Sequence, residues 1–361
     1  MLSGELASSE FASEFALRTR RSIWFTCEWG FHTQFRADAC DERFRARNKE
    51  DAVEFRQLGR SGLTVSEIGL GALEIGRDWG IRVGDDYGRP DEKEAIRVLN
   101  AALDAGITFI DTAPAYRLSE ERIGKGISHR RHEFVLATKV GERLNDDDPK
   151  SIYDYSHDAT LGFVEQSLRR MRTEVIDVIQ IHSAPVEVIR DGETLSALKR
   201  AQEQGKVRFI GMTGSVEAAI EAAKTGEYDT VQVSYNIVYR EAEKELFPLV
   251  RERHVGVIIK DGLGAGRLTP KAKALPEDRR ADIERAARLE KECLTESRHP
   301  NAFPKTLPEL ALRFLLSNDA VTTVIAGTRK VEHILANVAA SDGRHLTAEQ
   351  IEKAIRIADS V

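Results

Sequence analysis

The chain has 361 residues, of which 41% are hydrophobic and 31% charged, and its formal net charge is −6. This composition can build a sizeable core and is not typical of a disordered chain, and the lack of a basic excess argues against a general nucleic-acid binder. No stretch approaches the 18 apolar residues that would predict a membrane-spanning helix. Cys27, Cys40 and Cys293 form no CxxC pair, so neither a disulfide framework nor a zinc site is expected, and a reducing, cytoplasmic setting fits best.

The first 54 residues differ from the rest of the chain. They sustain no period of 2 or 3.6, and they mix arginine-rich runs with acidic residues. The apolar run of a secretory signal is missing, and the acidic residues do not suit a transit peptide. We expect a non-conforming N-terminal extension over 1–54, disordered or an artefact of start-site choice, with a tethering arm as the alternative. One barrel domain is expected over 55–361.

From Ser66 onward, eight strand-like runs alternate with helix-like runs. The runs are rich in Val, Ile and Thr and almost continuously apolar, as strands buried on both faces are. Between them lie amphipathic stretches with helical spacing, several of which end at a glycine that suits a helix C-cap. The strand candidates are 66–73, 107–113, 134–140, 175–183, 207–214, 230–236, 256–262 and 322–328.

Eight such units predict an α/β protein with a closed parallel (β/α)8 barrel, the TIM barrel. An open doubly wound sheet is the alternative, but it usually carries GxGxxG after its first strand, and GLGALEIG does not match. Residues 56–67 predict an N-terminal β-hairpin that closes the barrel floor, with its turn at Gly59–Gly62. Residues 347–361 predict an extra C-terminal helix capped by Thr347.

Two further features concern the connections. Ser119 in SEER has the spacing of a capping box and is expected to cap a helix. Residues 263–305 follow the seventh strand and are unusually long for a strand-to-helix loop. Because such loops build the active-site face of a barrel, this one is expected to act as a lid.

Four ionisable side chains stand where predicted strands end, which is where barrels carry their functional residues. Asp111 and Tyr116 follow the second strand, Lys139 ends the third, and His182 ends the fourth. Each has an ordinary alternative role: Asp111 as a turn former, Tyr116 as a loop aromatic, Lys139 as half of a structural ion pair and His182 as a core histidine. A buried ammonium is costly unless it is paired, so Lys139 requires a carboxylate such as Asp111. Their coincidence at neighbouring strand ends favours a catalytic site.

The chain resembles the aldo-keto reductase superfamily over roughly residues 55–345. The segments that carry the resemblance occur in the family's order and include LGRSGLTVSEIGLG, GITFIDTAPAY, SEERIGKGI, FVLATKV, GKVRFIGMTG and VQVSYN. The resemblance implies a (β/α)8 barrel that uses NAD(P)H. It also implies that the catalytic tetrad is Asp111, Tyr116, Lys139 and His182.

The chemistry of this tetrad is physically sensible. Hydride transfer leaves charge on the carbonyl oxygen, which then needs a proton. A free tyrosine has a pKa of ~10, and the Lys139 cation is expected to lower that of Tyr116. Asp111 would hold and balance Lys139, and His182 would orient the carbonyl oxygen.

The resemblance also implies a nicotinamide cofactor site. Gly214 replaces an asparagine of the family, Lys260 replaces the aromatic that stacks on the nicotinamide, and His333 replaces an arginine that often contacts the 2′-phosphate. Arg329 could substitute at the phosphate, so we expect NADP (NADPH) rather than NAD. The implied cofactor-binding residues are Gly71, Thr213, Gly214, Gln232, Lys260, Leu263, Gly264, Gly327, Thr328, Arg329, His333 and Asn337.

The expected activity is NAD(P)H-dependent reduction of an aldehyde or ketone, or the reverse oxidation of an alcohol or sugar, on a small-molecule substrate. Trp79 is expected to wall the substrate pocket, with a hydrophobic plug as the alternative. A cofactor-binding regulatory subunit of the same fold is the second hypothesis, against which the intact tetrad argues. The third hypothesis, a non-redox barrel hydrolase, would need paired carboxylates or a metal cluster at the strand ends, and neither is seen. Substrate identity and oligomeric state stay open.

Overall fold

The computed structural model describes residues 53–77, 90–144, 150–294 and 303–361. Residues 1–52 of the expected extension and Trp79 lie outside the described residues. Val53 is buried, and the backbone N–H of Glu54 donates to the carbonyl oxygen of Ser341 over 3.2 Å. Val53 and Glu54 therefore pack with the barrel domain, while the assignment of residues 1–54 as an extension stays a prediction.

Twelve strands are found in the described part of the chain, and eight of them close into a parallel barrel. All eight predicted strand runs are confirmed, and so is the (β/α)8 barrel. The strands are β1 (Phe55–Gln57), β2 (Thr64–Ser66), β3 (Ile68–Gly71), β4 (Phe109–Asp111), β5 (Val135–Val140), β6 (Glu142–Leu144), β7 (Ser151–Tyr153), β8 (Ile176–Ala184), β9 (Val207–Gly214), β10 (Thr230–Ser234), β11 (Gly256–Lys260) and β12 (Thr323–Gly327). Around the barrel the order is β3, β4, β5, β8, β9, β10, β11 and β12, which pairs again with β3.

The predicted hairpin is confirmed and covers the N-terminal end of the barrel. Strands β1 and β2 pair antiparallel, and the connecting turn holds Gly62 at a φ of 69°, a left-handed conformation that glycine adopts without strain. Leu58 is fully buried and packs in one cluster with Phe109, Val178 and Ile258 of the barrel strands. The hairpin thus supplies an apolar plug on the side of the barrel opposite the strand carboxyl ends.

Leu58→Ala is expected to lower the free energy of unfolding by about 2–5 kcal/mol, because it removes buried methyl groups and leaves a cavity. Chemical denaturation followed by circular dichroism measures the change. Leu335→Ala is the matched control, since Leu335 is 56% exposed and its loss should change stability by less than about 0.5 kcal/mol. Equal effects of the two substitutions would contradict the plug.

Helices follow the barrel strands, and their starts show the expected caps. Asp91, Ser215, Thr306 and Thr347 each accept a backbone N–H at a helix start, and Thr347 forms a full capping box with Gln350. The predicted C-terminal helix is therefore confirmed. The helices are α1 (Leu73–Gly76), α2 (Glu92–Asp104), α3 (Ser119–Ile127), α4 (His157–Met171), α5 (Val186–Asp191), α6 (Glu193–Glu203), α7 (Val216–Thr225), α8 (Leu246–Arg253), α9 (Arg280–Cys293), α10 (Leu307–Leu316), α11 (Val331–Val338) and α12 (Ala348–Asp359).

The expected capping role of Ser119 is wrong. Leu118 occupies the N-cap position, and Ser119 is the first residue of α3. The Ser119 hydroxyl donates to the carbonyl oxygen of Ala72 over 2.7 Å and accepts from the Thr112 hydroxyl over 2.8 Å. The side chain is taken up by contacts with neighbouring elements, which a local spacing rule does not anticipate.

The long connection after β11 contains regular structure. Short 3-10 segments are followed by α9, which contacts α12 and α10. Its expected role as a lid stays a prediction, since residues 295–302 lie outside the described part. Among the described helices none is both long and apolar enough to cross a bilayer.

Candidate active site

The barrel places the four candidate catalytic residues at one end. Asp111 is the last residue of β4, Lys139 lies one residue before the end of β5, and His182 lies near the end of β8. Tyr116 follows in the short turn after β4. Because β4, β5 and β8 are consecutive and parallel in the barrel, their carboxyl ends meet, and the side chains converge as expected.

Lys139 and Asp111 form a buried ion pair. The ammonium Nζ donates to Asp111 Oδ2 over 2.5 Å and to the carbonyl oxygen of Thr112 over 2.9 Å. Both side chains are 1% exposed. Burial acts to lower the pKa of Lys139, but Asp111 and Tyr116 outweigh it, and the pKa lies above its usual value. Lys139 is therefore a cation at neutral pH, as its position in an apolar strand required.

Two glutamines that the sequence reasoning did not assign to the tetrad hold the other side of Asp111. Gln180 Nε2 and Gln232 Nε2 both donate to Asp111 Oδ1, over 2.8 and 2.9 Å. Gln180 is fully buried and Gln232 is 1% exposed. The available signal was an amide in the middle of each apolar strand, since a buried polar side chain requires a partner. Asp111 thus has a charged partner on one oxygen and two amides on the other.

Tyr116 lies against both Lys139 and His182. Lys139 Nζ is 4.9 Å from the centre of the Tyr116 ring, and the rings of Tyr116 and His182 meet edge to face at a centroid distance of 5.9 Å. Burial raises the pKa of Tyr116, and Lys139 opposes this shift without reversing it. Lys139 therefore acts on the pKa in the expected direction, but the hydration that the phenolate loses on burial outweighs the effect of this cation. Tyr116 is protonated at neutral pH, which suits a proton donor.

His182 has an acidic neighbour that the sequence reasoning missed. Glu142 is the first residue of β6, and its Oε2 lies 3.0 Å from His182 Nδ1. Burial lowers the pKa of His182, and Glu142 opposes that shift. The only sequence signal was an acidic residue three positions after Lys139, which does not indicate a contact with a residue forty positions further on.

The structure places Gly71, Thr213, Gln232 and Lys260 at the same end of the barrel. Gly71 ends β3, and its register partner is Gly327 at the end of β12. Thr213 and Gln232 are register partners on β9 and β10. Lys260 ends β11, and its Nζ donates to Thr213 Oγ1 over 3.2 Å. Burial lowers the pKa of Lys260, and Lys139 adds to this shift.

The remaining expected cofactor residues follow the carboxyl ends of β9, β11 and β12. Gly214 ends β9, and Leu263 and Gly264 lie three and four residues after the end of β11. Thr328 and Arg329 lie between β12 and α11, where the Thr328 hydroxyl lies 3.2 Å from His333 Nδ1. His333 and Asn337, the last two of the expected residues, lie on α11.

These residues fit a nicotinamide dinucleotide by their donors and acceptors. Gln232 Nε2 is committed to Asp111, and Gln232 Oε1 has no hydrogen-bond partner among the described residues, so it can accept from a carboxamide. Arg329 and Lys330 precede the N-terminus of α11, where a phosphate is favoured by charge and by the helix dipole. Trp79, the expected substrate residue, lies outside the described residues.

Comparisons with known proteins show the family of the chain. The model of the Aldo/keto reductase family matches residues 67–359. The chain is 30% identical over 308 residues to the uncharacterized oxidoreductase YqkF of Bacillus subtilis, covering 82% of this chain and 94% of that protein. It is 29% identical over 300 residues to the L-galactose dehydrogenase of Arabidopsis thaliana, covering 80% and 88%.

Solved structures give the same result. The holo form of the aldo-keto reductase AKR11C1 of Bacillus halodurans superposes with a TM-score of 0.72 at 31% identity, over 86% of this chain and 97% of that one. The glycerol dehydrogenase AKR11B4 of Gluconobacter oxydans superposes with a TM-score of 0.68 at 27% identity, over 87% and 96%. The barrel, the converging side chains and the family match lead to one conclusion: the chain belongs to the aldo/keto reductase family, whose members are NAD(P)-dependent oxidoreductases acting on carbonyl and alcohol groups.

Proposed function

We propose that the protein reduces an aldehyde or ketone with a nicotinamide cofactor, or runs the reverse oxidation of an alcohol or sugar, with Asp111, Tyr116, Lys139 and His182 as its catalytic tetrad. The observation that carries this proposal is the buried ion pair of Lys139 and Asp111 with the Tyr116 ring 4.9 Å from the ammonium. A structural ion pair would not require a protonated phenol at its side. A cation, a phenol and an imidazole that lie together in this way are typical of an acid-base catalytic site.

In the reductive direction the proton comes from the Tyr116 hydroxyl. A nicotinamide cofactor, when bound, would supply the hydride from its C4 position. Tyr116 is protonated at neutral pH because burial raises its pKa, so it can donate to the oxygen on which charge develops. The Lys139 cation stabilises the phenolate that remains. Asp111 keeps Lys139 in place through Oδ2 and is itself held by Gln180 and Gln232 through Oδ1.

We propose NADP(H) rather than NAD(H) as the cofactor, with Arg329 at the 2′-phosphate. Burial raises the pKa of the nearby Glu74, and Lys271 and Arg329 oppose this shift, so both cations act on this part of the site. A guanidinium binds a phosphate with two parallel hydrogen bonds. The proposed cytoplasmic setting rests on the cysteine usage alone.

Arg329→Ser is expected to raise the dissociation constant of NADPH roughly tenfold or more and to leave that of NADH nearly unchanged, because only NADPH carries the 2′-phosphate. Fluorescence titration of the full chain with each cofactor measures both constants. Arg200→Ser on α6 is the control, since Arg200 pairs with Glu203 on the exposed face of that helix. Parallel losses for NADPH and NADH would reject Arg329 as the phosphate ligand.

The relatives guide the choice of substrates. Two of the similar proteins are named for polyhydroxylated substrates, as L-galactose dehydrogenase and glycerol dehydrogenase. We therefore propose sugars and polyols, together with their aldehydes, as the first class to screen in both directions.

Cofactor titration followed by this screen tests the proposed function. Micromolar binding of NADPH together with turnover of a carbonyl or alcohol supports it. Binding without turnover of any member of the screen would favour the regulatory-subunit hypothesis. If neither NADPH nor NADH bound, the resemblance would extend to the fold alone and the tetrad assignment would have to be abandoned.

A further inference from the structure

The contact between Glu142 and His182 is not explained by the tetrad. Glu142 and His182 are 6% and 8% exposed, and the 3.0 Å between Glu142 Oε2 and His182 Nδ1 is a hydrogen-bonding distance. The ring is not aligned for a good hydrogen bond. A carboxylate this close to an imidazole nevertheless decides where the imidazole carries its proton.

Glu142 is held as an anion. The Ser151 hydroxyl donates to Glu142 Oε1 over 2.5 Å, and the Ser183 hydroxyl donates to Glu142 Oε2 over 3.1 Å. Burial acts to raise the pKa of Glu142, but His182 and these two hydroxyls outweigh it and lower the pKa to about 2. At any working pH the side chain is therefore an acceptor only.

A carboxylate 3.0 Å from Nδ1 favours one neutral form of His182. Its negative charge attracts an N–H dipole on Nδ1 and repels a lone pair there, although the angle is not that of a good hydrogen bond. The proton of the neutral ring consequently resides on Nδ1, and Nε2 carries the lone pair. No group among the described residues is hydrogen-bonded to Nε2, so this nitrogen is available to a ligand.

We propose that Glu142 is a positioning residue that fixes the proton of His182 on Nδ1. His182 Nε2 then accepts from a substrate hydroxyl when the ring is neutral and donates to a carbonyl oxygen only when the ring is an imidazolium. Oxidation of the alcohol therefore requires the neutral ring, and reduction of the carbonyl requires the protonated ring. This inference rests on the proposed carbonyl and alcohol chemistry.

The surrounding charges determine which form prevails. His182 faces Glu142 from β6, the cations Lys139 from β5 and Lys260 from β11, and the ring of Tyr116 from the turn after β4. Burial and the two cations favour the neutral ring, and Glu142 favours the imidazolium. The pKa of His182 is lowered in sum, so reduction is expected to weaken as the pH rises through that pKa.

The other neighbours of Glu142 do not alter this assignment. The charge of Glu142 acts to raise the pKa of Arg77, the last described residue before 78–89. The Tyr155 hydroxyl donates to the backbone oxygen of His182 over 2.8 Å and so anchors the backbone rather than the ring. Glu142 is thus the acidic group that contacts the imidazole in the described part of the site.

Glu142→Gln tests the proposal, because an amide can either accept from Nδ1–H or donate to a lone pair on Nδ1. Nitrogen-15 NMR of the full chain with labelled histidine reports which ring nitrogen carries the proton, and His182→Gln identifies the signals. We expect a single Nδ1–H form in the unsubstituted protein and a mixture in Glu142→Gln. Glu142→Asp, which keeps the charge, should restore the single form.

A kinetic measurement provides the second arm. Above the pKa of His182, kcat/KM for reduction should fall about tenfold per pH unit in the unsubstituted protein. Glu142→Gln should flatten this slope, since its neutral Nε2–H form can also donate. Glu203→Gln, the same change of acid to amide on the exposed face of α6, should leave the slope in place.

The two arms separate the inference from the proposed function. A neutral His182 with its proton on Nε2, or spectra identical in the unsubstituted protein and Glu142→Gln, would overturn the inference whether or not the protein turns over a substrate. A single Nδ1–H form in a protein without turnover would uphold the role of Glu142 and count against the proposed function alone. Identical pH slopes in the two proteins would also overturn the inference.

Discussion

Tyr116→Phe is expected to lower kcat about 10²–10⁴-fold, the usual contribution of a general acid or base, while the dissociation constant of NADPH stays nearly unchanged. The substitution removes one hydroxyl and keeps the ring that contacts Lys139 and His182. Because the burial of Tyr116 raises its pKa, the hydroxyl carries its proton at neutral pH, and among the described residues Tyr116 is the phenol that acts on Lys139. Steady-state kinetics and fluorescence titration measure the two constants.

Tyr228→Phe is the matched control for this loss. Tyr228 is fully buried and its hydroxyl has no hydrogen-bond partner in the described structure. It lies before β10, away from the carboxyl ends of the strands, so kcat should be retained. Unchanged turnover in Tyr116→Phe would exclude Tyr116 as the proton donor.

Lys139→Met is expected to abolish most activity and to lower the free energy of unfolding by about 3–5 kcal/mol, because it leaves the carboxylate of Asp111 buried without its cation. The amides of Gln180 and Gln232 remain on Asp111 Oδ1, but they carry no net charge. Denaturant unfolding measures the stability, and the same preparations are assayed for turnover.

The double variant Lys139→Met with Asp111→Asn separates the two effects. Neutralising Asp111 removes the unpaired charge, so part of the lost stability should return while activity stays low. Full recovery of activity in the double variant would mean that Lys139 serves Asp111 alone and has no role beside Tyr116.

Lys139→Met is also expected to shift the pH dependence of the activity that remains. Lys139 acts to lower the pKa of Tyr116, so its removal raises that pKa further above the ordinary value of 10.0. Oxidation of an alcohol requires the phenolate and increases with pH through this pKa, and the increase should therefore move to higher pH. A profile that did not move would contradict electrostatic coupling between Lys139 and Tyr116.

Much of the fold followed from local patterns. Strands that are buried on both faces read as apolar runs, so all eight barrel strands were predicted within a few residues of their ends. The helix cap at Thr347 also involves neighbours in sequence alone and was predicted correctly. At Ser119 the same rule failed, because the hydroxyl is bonded to Ala72 and Thr112 instead.

The pairing of Lys139 with Asp111 was predictable for a physical reason as well. Lys139 inside an apolar strand requires a carboxylate, and parallel strands bring their carboxyl ends to one side, which places Asp111 within reach. The direction of the Tyr116 pKa was not predictable, since it depends on how much water the assembled barrel removes from the hydroxyl. Burial of that kind is a property of the closed structure and not of the spacing.

The sequence by itself determined the order of strands and helices, the hairpin and C-terminal helix, and which residues stand at strand ends. Those features depend on burial patterns and on contacts between residues close in the chain. Only the tertiary structure decided that Gln180 and Gln232 meet on Asp111 and that Glu142 faces His182. These contacts arise from barrel closure and strand register, which join residues that are tens of positions apart and leave no local pattern in the sequence.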